Sequence, residues 1–140
     1  MLIKHLTLLL NEHSQFNKND NKIKIGIISP YKEQVILLQN LIAENEDLND
    51  YKKQIVVKTV DGFQGQEKEV IYISLVRSNE NKEIGFLSDT RRMNVALTRA
   101  KQKLVVIGDS ATLANHTFYK DFLDYVEKIN AYKSAWEFIY

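Results

Sequence analysis

The sequence predicts an α/β fold, a doubly wound and mostly parallel sheet flanked by helices, and three observations carry the prediction. Short β-branched or apolar runs at 24–29, 55–60, 70–76 and 104–107 alternate with segments of helical period. The run from Val70 to Val76 is apolar almost without a break, as a strand covered on both faces requires. A chain of 140 residues with 44% hydrophobic and 26% charged residues, one Pro and five Gly is composed like a folded domain, and it is long enough to bury a core.

The elements follow in order. Leu2, Ile3, Leu6, Leu9 and Leu10 recur at helical spacing, and the polar segment Asn11–Asn21 reads as a loop behind that helix. Lys24–Ser29 is a strand ending in Ser29-Pro30, where Pro30 suits the first helical position with Ser29 as its cap and Glu33 in the first turn. Val35, Leu38, Leu41 and Ile42 supply that helix with a buried stripe, and Glu44–Asp50 reads as a solvated acidic loop. Between the strands Ile55–Val60 and Val70–Val76 stand only the nine residues Asp61–Glu69. That is short for a parallel crossover, so either the pair is antiparallel or the link is one compact helical turn. Ser88–Ala100 reads as a helix with Met93, Ala96, Leu97 and Ala100 on one face. Leu104–Ile107 is a strand closed by Gly108-Asp109, and Phe118, Phe122, Tyr125 and Ile129 mark a last helix. In such a fold the binding edge lies at the carboxyl ends of the strands, where the polar motifs are expected to begin.

Composition excludes several classes of function. The absence of Cys removes disulfides, thiolate catalysis and Cys-based metal sites. The three His, at 5, 13 and 116, fit no zinc spacing, so no metal is expected on this chain. Nineteen basic against 18 acidic residues leave a formal charge of +1, which argues against a bulk polyelectrolyte partner but permits a local basic patch. Lys4 and His5 interrupt the amino-terminal apolar stretch, unlike a signal peptide, and no run approaches the ~18 apolar residues of a membrane span. A cytoplasmic protein, or a nuclear one in a cell with a nucleus, is expected, with no membrane partner.

Three motifs carry candidate chemistry. All four Arg fall between Arg77 and Arg99 in a chain that otherwise uses 15 Lys, and Arg offers a planar fork for phosphate that Lys does not reproduce. Arg91, Arg92, Arg99, Lys101 and Lys103 face Asp89 as the nearby acid, so a phosphate or nucleic-acid role competes with ordinary surface ion pairing. Asp61-Gly-Phe-Gln-Gly-Gln-Glu67 follows a strand directly and either brings backbone N–H groups to an anion or makes a plain tight turn with Phe63 in the core. Ser29-Pro30-Tyr31 offers a hydroxyl, a helix amino terminus and a ring for a phosphate and a base, against a bland reading as a helix cap with a packed Tyr. Asp109 is a nucleotide or metal carboxylate by position only, and capping a segment from Ser110 explains it as well. No Gly-x-x-x-x-Gly-Lys-Ser/Thr phosphate loop occurs in the chain.

Taken together, Ile25-Gly-Ile-Ile-Ser-Pro-Tyr31, Thr59-Val-Asp-Gly-Phe-Gln-Gly-Gln-Glu67, Leu75-Val-Arg-Ser-Asn79 and Arg91-Arg-Met-Asn-Val-Ala-Leu-Thr-Arg-Ala-Lys101 resemble the second, C-terminal RecA-like domain of superfamily 1 helicases. The similarity is greatest to the 5′ to 3′ branch that includes RNA-surveillance helicases and replication helicase-nucleases. It runs from about Lys22 to Asp109, leaving 110–140 as a C-terminal helix and an aromatic tail within one domain spanning 1–140.

The resemblance implies a P-loop NTPase fold that lacks its phosphate loop, and ATP with Mg2+ shared with a first RecA-like domain in cis or in trans. It implies that Arg99 is an arginine finger, that Gly65 places an N–H near the same phosphate, and that Glu67 accepts a ribose hydroxyl. Gln64 would couple that loop to nucleic acid, and Arg92 would join Gln64, Gly65 and Glu67 in contacting ATP. Ser29, Pro30, Tyr31, Thr59 and Asn94 match positions facing single-stranded DNA or RNA, with Arg92 and Asn94 on the same helix as the finger. The first domain, with its phosphate loop and Asp-Glu pair, lies outside this sequence, as does an upstream segment carrying another ATP-contacting Arg. The chain alone is therefore not expected to hydrolyse ATP. A non-catalytic module that binds single strands or docks on a protein is the alternative.

Overall fold

Four strands, β1 (Ile25–Ser29), β2 (Ile55–Thr59), β3 (Lys68–Ser74) and β4 (Ala100–Ile107), form one sheet in the computed structural model, which describes residues 2–16, 23–63, 67–75, 90–108, 113 and 117–134. Their order is β2-β1-β3-β4 and every pairing is parallel. The chain leaves β1 for β2 on one side and returns past β1 to β3 on the other, so the switch in winding falls between β1 and β3. Helices cover both faces, as the alternation of strands and helices predicts: α1 (Leu2–Phe16), α2 (Lys32–Glu44), α3 (Thr90–Leu97) and α4 (Thr117–Lys128).

The side-chain period of two divides the core. Ile25 and Ile27 of β1 and Val70 and Tyr72 of β3 join Leu2, Leu6 and Leu10 of α1 and Val35, Leu38 and Ile42 of α2 in one cluster. Ile28, Ile71 and Ile73 point the other way, to Phe63, Met93 and Ala96 of α3 and Tyr119 of α4. Each such aliphatic side chain contributes roughly 1.5–3 kcal/mol by leaving water, which is why two central strands buried on both faces anchor the domain. Within the first cluster the Tyr72 hydroxyl and His5 Nδ1 hydrogen-bond at 2.7 Å, and burial raises the Tyr72 phenol well above its ordinary range.

Several boundaries differ from the sequence reading. Helix α1 continues through Asn11 to Phe16, where a loop is expected, because no Gly or Pro stops it. Pro30 does not open α2. The Ser29 hydroxyl accepts from the Tyr31 N–H at 3.2 Å, which makes a bend at Pro30, and the helix starts at Lys32 with the extended Tyr31 as its cap residue. The acidic segment behind α2 is a 3-10 helix, Glu46–Gln54, started by the Asn45 side chain accepting from the Asp47 N–H.

Between β2 and β3 the compact-turn alternative holds, since a 3-10 turn, Asp61–Phe63, follows β2 directly. The strands are parallel, yet they do not touch, because β1 lies between them. The link thus crosses over β1 in very few residues, and Gly26 permits it. A Cβ at Gly26 would meet the Phe63 ring at 2.7 Å and Ile71 Cδ1 at 2.8 Å, so the crossover packs directly on the β1 backbone.

Helix α3 ends at Leu97 instead of Ala100, and β4 begins at Ala100 instead of Leu104. The cause is β3, whose first residue Lys68 pairs with Ala100 and donates its N–H to the Arg99 carbonyl at 3.2 Å. One extra residue on β4 between Ala100 and Lys103 forms a bulge that restores the register. Helix α4 ends in a left-handed residue, Asn130 (φ 58°), with Ala131 N–H bonded to Val126 O and Asn130 N–H to Glu127 O. No described helix is long and apolar enough to cross a membrane.

Candidate functional site

In a parallel sheet every strand carries its residues from one edge to the other, and this divides the candidate residues into two groups. At the carboxyl edge stand Ser29 and Pro30 behind β1 and Thr59 at the end of β2, in register with Ser29. At the amino edge stand Glu67, immediately before β3, and Arg99, immediately before β4. Since Ile25 is level with Val70, Lys68 lies six residues below Ser29, roughly 20 Å along the strand direction. The Asp61–Glu67 motif begins at the carboxyl edge behind β2, as expected, but Glu67 itself stands at the opposite edge, as does Arg99. Arg99 is also not on the helix that carries Arg92 and Asn94, because it lies in the turn behind that helix, bonded through its N–H to Ala96 O.

The amino edge brings the phosphate-type candidates together. The Lys68 to Arg99 backbone bond ties the residue after Glu67 to the Arg99 turn, so these two motifs, distant in sequence, share one edge. Arg99 is half-buried, and its Nε is shielded from solvent with no hydrogen-bond partner among the described residues. A guanidinium donor withdrawn from water and left unpaired costs free energy until an acceptor meets it, so this geometry favours an incoming anion. Lys24, Lys68 and Lys101 lie at the same edge beside Glu67 and Glu69, and the acids Glu46, Asp47 and Asp50 precede β2 at that edge, away from β4. Glu69 is already engaged, its Oε2 accepting from the Lys24 N–H at 2.9 Å. Gln64 and Gly65 lie outside the described residues, as do Arg77 and Asp109.

The carboxyl edge is built differently. Ser29 is fully buried and its hydroxyl accepts from Tyr31 N–H, so it shapes the turn from within. Tyr31 is half-buried, its ring packed on the second core cluster and its hydroxyl turned inward, which agrees with a packed Tyr. Thr59 is partly exposed, and its Oγ1 accepts from Gly62 N–H at 3.4 Å, capping the turn that begins the crossover. Pro30 is likewise partly exposed. On α3 Asn94 is exposed and lies between the two edges, while the Arg92 side chain is outside the described set. Among the described residues no group of three His, Asp or Glu converges as metal ligands would.

The amino-edge position of Glu67 and Arg99 follows from strands that begin earlier than the sequence suggests, at Lys68 and Ala100 instead of Val70 and Leu104, so that both residues directly precede a strand and stand opposite Ser29 and Thr59. Lys58, an exposed neighbour of Thr59, is a residue that the motifs do not mark, and only the contact of its stem with Gly62 draws notice to it.

The chain has clear relatives. A family model described as "AAA domain" matches residues 1–111. DNA-binding protein SMUBP-2 of Mesocricetus auratus is 42% identical over 115 residues, 82% of this chain and 11% of that protein. DNA polymerase alpha-associated DNA helicase A of Saccharomyces cerevisiae is 44% identical over 126 residues, 86% of this chain and 18% of that protein. Helicase SEN1 of the same yeast is 48% identical over 114 residues, 78% of this chain and 5% of that protein. The chain thus spans less than a fifth of the length of each of these relatives. By the family match and by these helicase relatives, the chain belongs to the AAA domain family as a domain of superfamily 1 helicase type.

Proposed function

We propose that residues 1–140 act as the second RecA-like half of an ATP-dependent nucleic-acid helicase or translocase. The observation that carries this reading is the half-buried, unpartnered Arg99 Nε, held by a backbone bond beside Glu67 at the amino edge. ATP with Mg2+, gripped mainly by a first RecA-like domain, supplies the phosphate anhydride whose hydrolysis drives movement. Arg99 neutralises negative charge on the terminal phosphate from across the cleft, and Glu67 accepts a ribose hydroxyl. In this reading Gln64, Gly65 and Arg92 contact the same nucleotide. Pro30, Thr59 and Asn94 face the single strand, with Ser29 and Tyr31 holding the first turn in shape.

The crossover gives this division a purpose. It begins at Thr59, where the strand is held, and ends at Glu67, where the nucleotide is held, with Phe63 seated on Gly26 between them. In this reading a shift at one end reaches the other by way of Phe63, which packs on Gly26. The chain alone does not hydrolyse ATP in this reading, because the phosphate loop and magnesium carboxylates belong to the first domain.

The test is Arg99→Ala in a polypeptide that joins this domain to its first RecA-like domain. A loss of turnover of ~10³ to 10⁵ is expected, with the circular dichroism of the wild type retained. Normal turnover in the folded variant would overturn the finger assignment. Measurable hydrolysis by the isolated chain, abolished by the same substitution, would overturn the requirement for a second domain.

A further inference from the structure

Lys58 is a cation at the carboxyl edge that no motif assigns. Lys58 is exposed on β2, one residue before Thr59, and on the face of the sheet where the crossover turns. The Gly62 backbone lies against its stem: a Cβ built on Gly62 would stand 3.1 Å from Lys58 Cβ, 3.6 Å from Cγ and 3.4 Å from Cδ. The aliphatic part of Lys58 thus fills the space that a side chain at position 62 would need. The Gly62 backbone beside the stem limits the directions open to Lys58 near the turn capped by Thr59, which lowers the side-chain entropy left to lose on binding. Among the residues whose side chains are described, which do not include Asp61, no acid pairs with its ammonium.

We propose that Lys58 is a further nucleic-acid contact, its ammonium neutralising one backbone phosphate of a single strand lying over Thr59. The inference rests on the reading of the carboxyl edge as the single-strand edge. A lysine used in this way is a point charge with no preference among bases, so it adds affinity without sequence selectivity. Gly62 is then required for more than its turn. A Cβ at position 62 would crowd the Lys58 stem, which would have to give way by a few tenths of an ångström.

The test is a salt titration of fluorescein-labelled oligo(dT) and oligo(rU) binding to the 140-residue chain by anisotropy, for wild type, Lys58→Gln and Lys58→Arg. Lys58→Gln is expected to weaken binding to both oligonucleotides alike, by roughly tenfold near 50 mM salt, and to flatten the slope of log K against log salt by about 0.7. Lys58→Arg is expected to restore the slope. If the wild type binds and Lys58→Gln changes neither affinity nor slope, the Lys58 assignment is overturned while the single-strand edge stands. If the wild type binds no single strand at low salt, both are overturned. Weakened binding with an unchanged slope would mean a structural effect and would also overturn the phosphate contact.

Discussion

Single atoms decide the chemistry at three positions. At Gly26, one added methyl group would collide with the Phe63 ring and with Ile71, both fully buried. Gly26→Ala is expected to lower unfolding free energy by about 1–3 kcal/mol, read from the shift in urea midpoint at constant slope. An unchanged midpoint would show that the crossover does not press on β1. At Tyr72, burial holds the phenol in its protonated form well above the unfolded value near 10. The folded state therefore keeps a proton that the unfolded state releases, so this residue's contribution is intact below pH ~10 and declines as pH rises above it. Tyr72→Phe is expected to cost about 1 kcal/mol at neutral pH through the lost bond to His5 Nδ1, and to remove part of the alkaline loss of stability. Parallel alkaline profiles for wild type and variant would contradict the shift. At Arg99 the signal in the sequence was an Arg in a Lys-rich chain. Its unpaired Nε, by contrast, depends on packing that no local pattern reveals.

At the scale of elements, the legible parts were those in which periodicity and burial coincide. Strands β1 and β3 are located by their apolar runs because both faces are covered, although β3 spans Lys68–Ser74 instead of Val70–Val76. The ends of elements were harder to read. Ser29-Pro30 is a plausible helix start by composition, but the Ser29 hydroxyl bonds to Tyr31 N–H and moves the start to Lys32. Residues 98–103 lack an obvious strand pattern, and β4 includes Ala100–Lys103 because β3 offers Lys68 as a pairing partner. That is a tertiary cause, outside the reach of any window on the sequence. The end of α4 tests the same point. Asn130 adopts a left-handed backbone that Gly takes at no steric cost, so Asn130→Gly is expected to leave the melting temperature equal or slightly higher. Asn130→Ala is expected to lose about 1 kcal/mol. Equal melting temperatures for the Ala and Gly variants would argue against that helix ending.

Over the whole molecule, the sequence motifs name candidate residues and the sheet sets where the described ones stand. The parallel topology separates Glu67 and Arg99 from Pro30 and Thr59 by the length of the strands, and the crossover from Thr59 to Glu67 joins them. This arrangement was partly legible, since residues placed before a strand and residues placed after one must lie at opposite edges of a parallel sheet. What hid it was the short link after β2, which left open an antiparallel pair until β1 was found between β2 and β3. The central claim is that single strands bind the carboxyl edge and leave the amino edge free for nucleotide. Hydrogen exchange on the 140-residue chain, with and without a single-stranded oligonucleotide at low salt, tests it most directly. The account predicts added protection at Tyr31 and at Val60–Phe63 and none at Lys68 or Ala100. Protection at Lys68 and Ala100 with none at the carboxyl edge would contradict it.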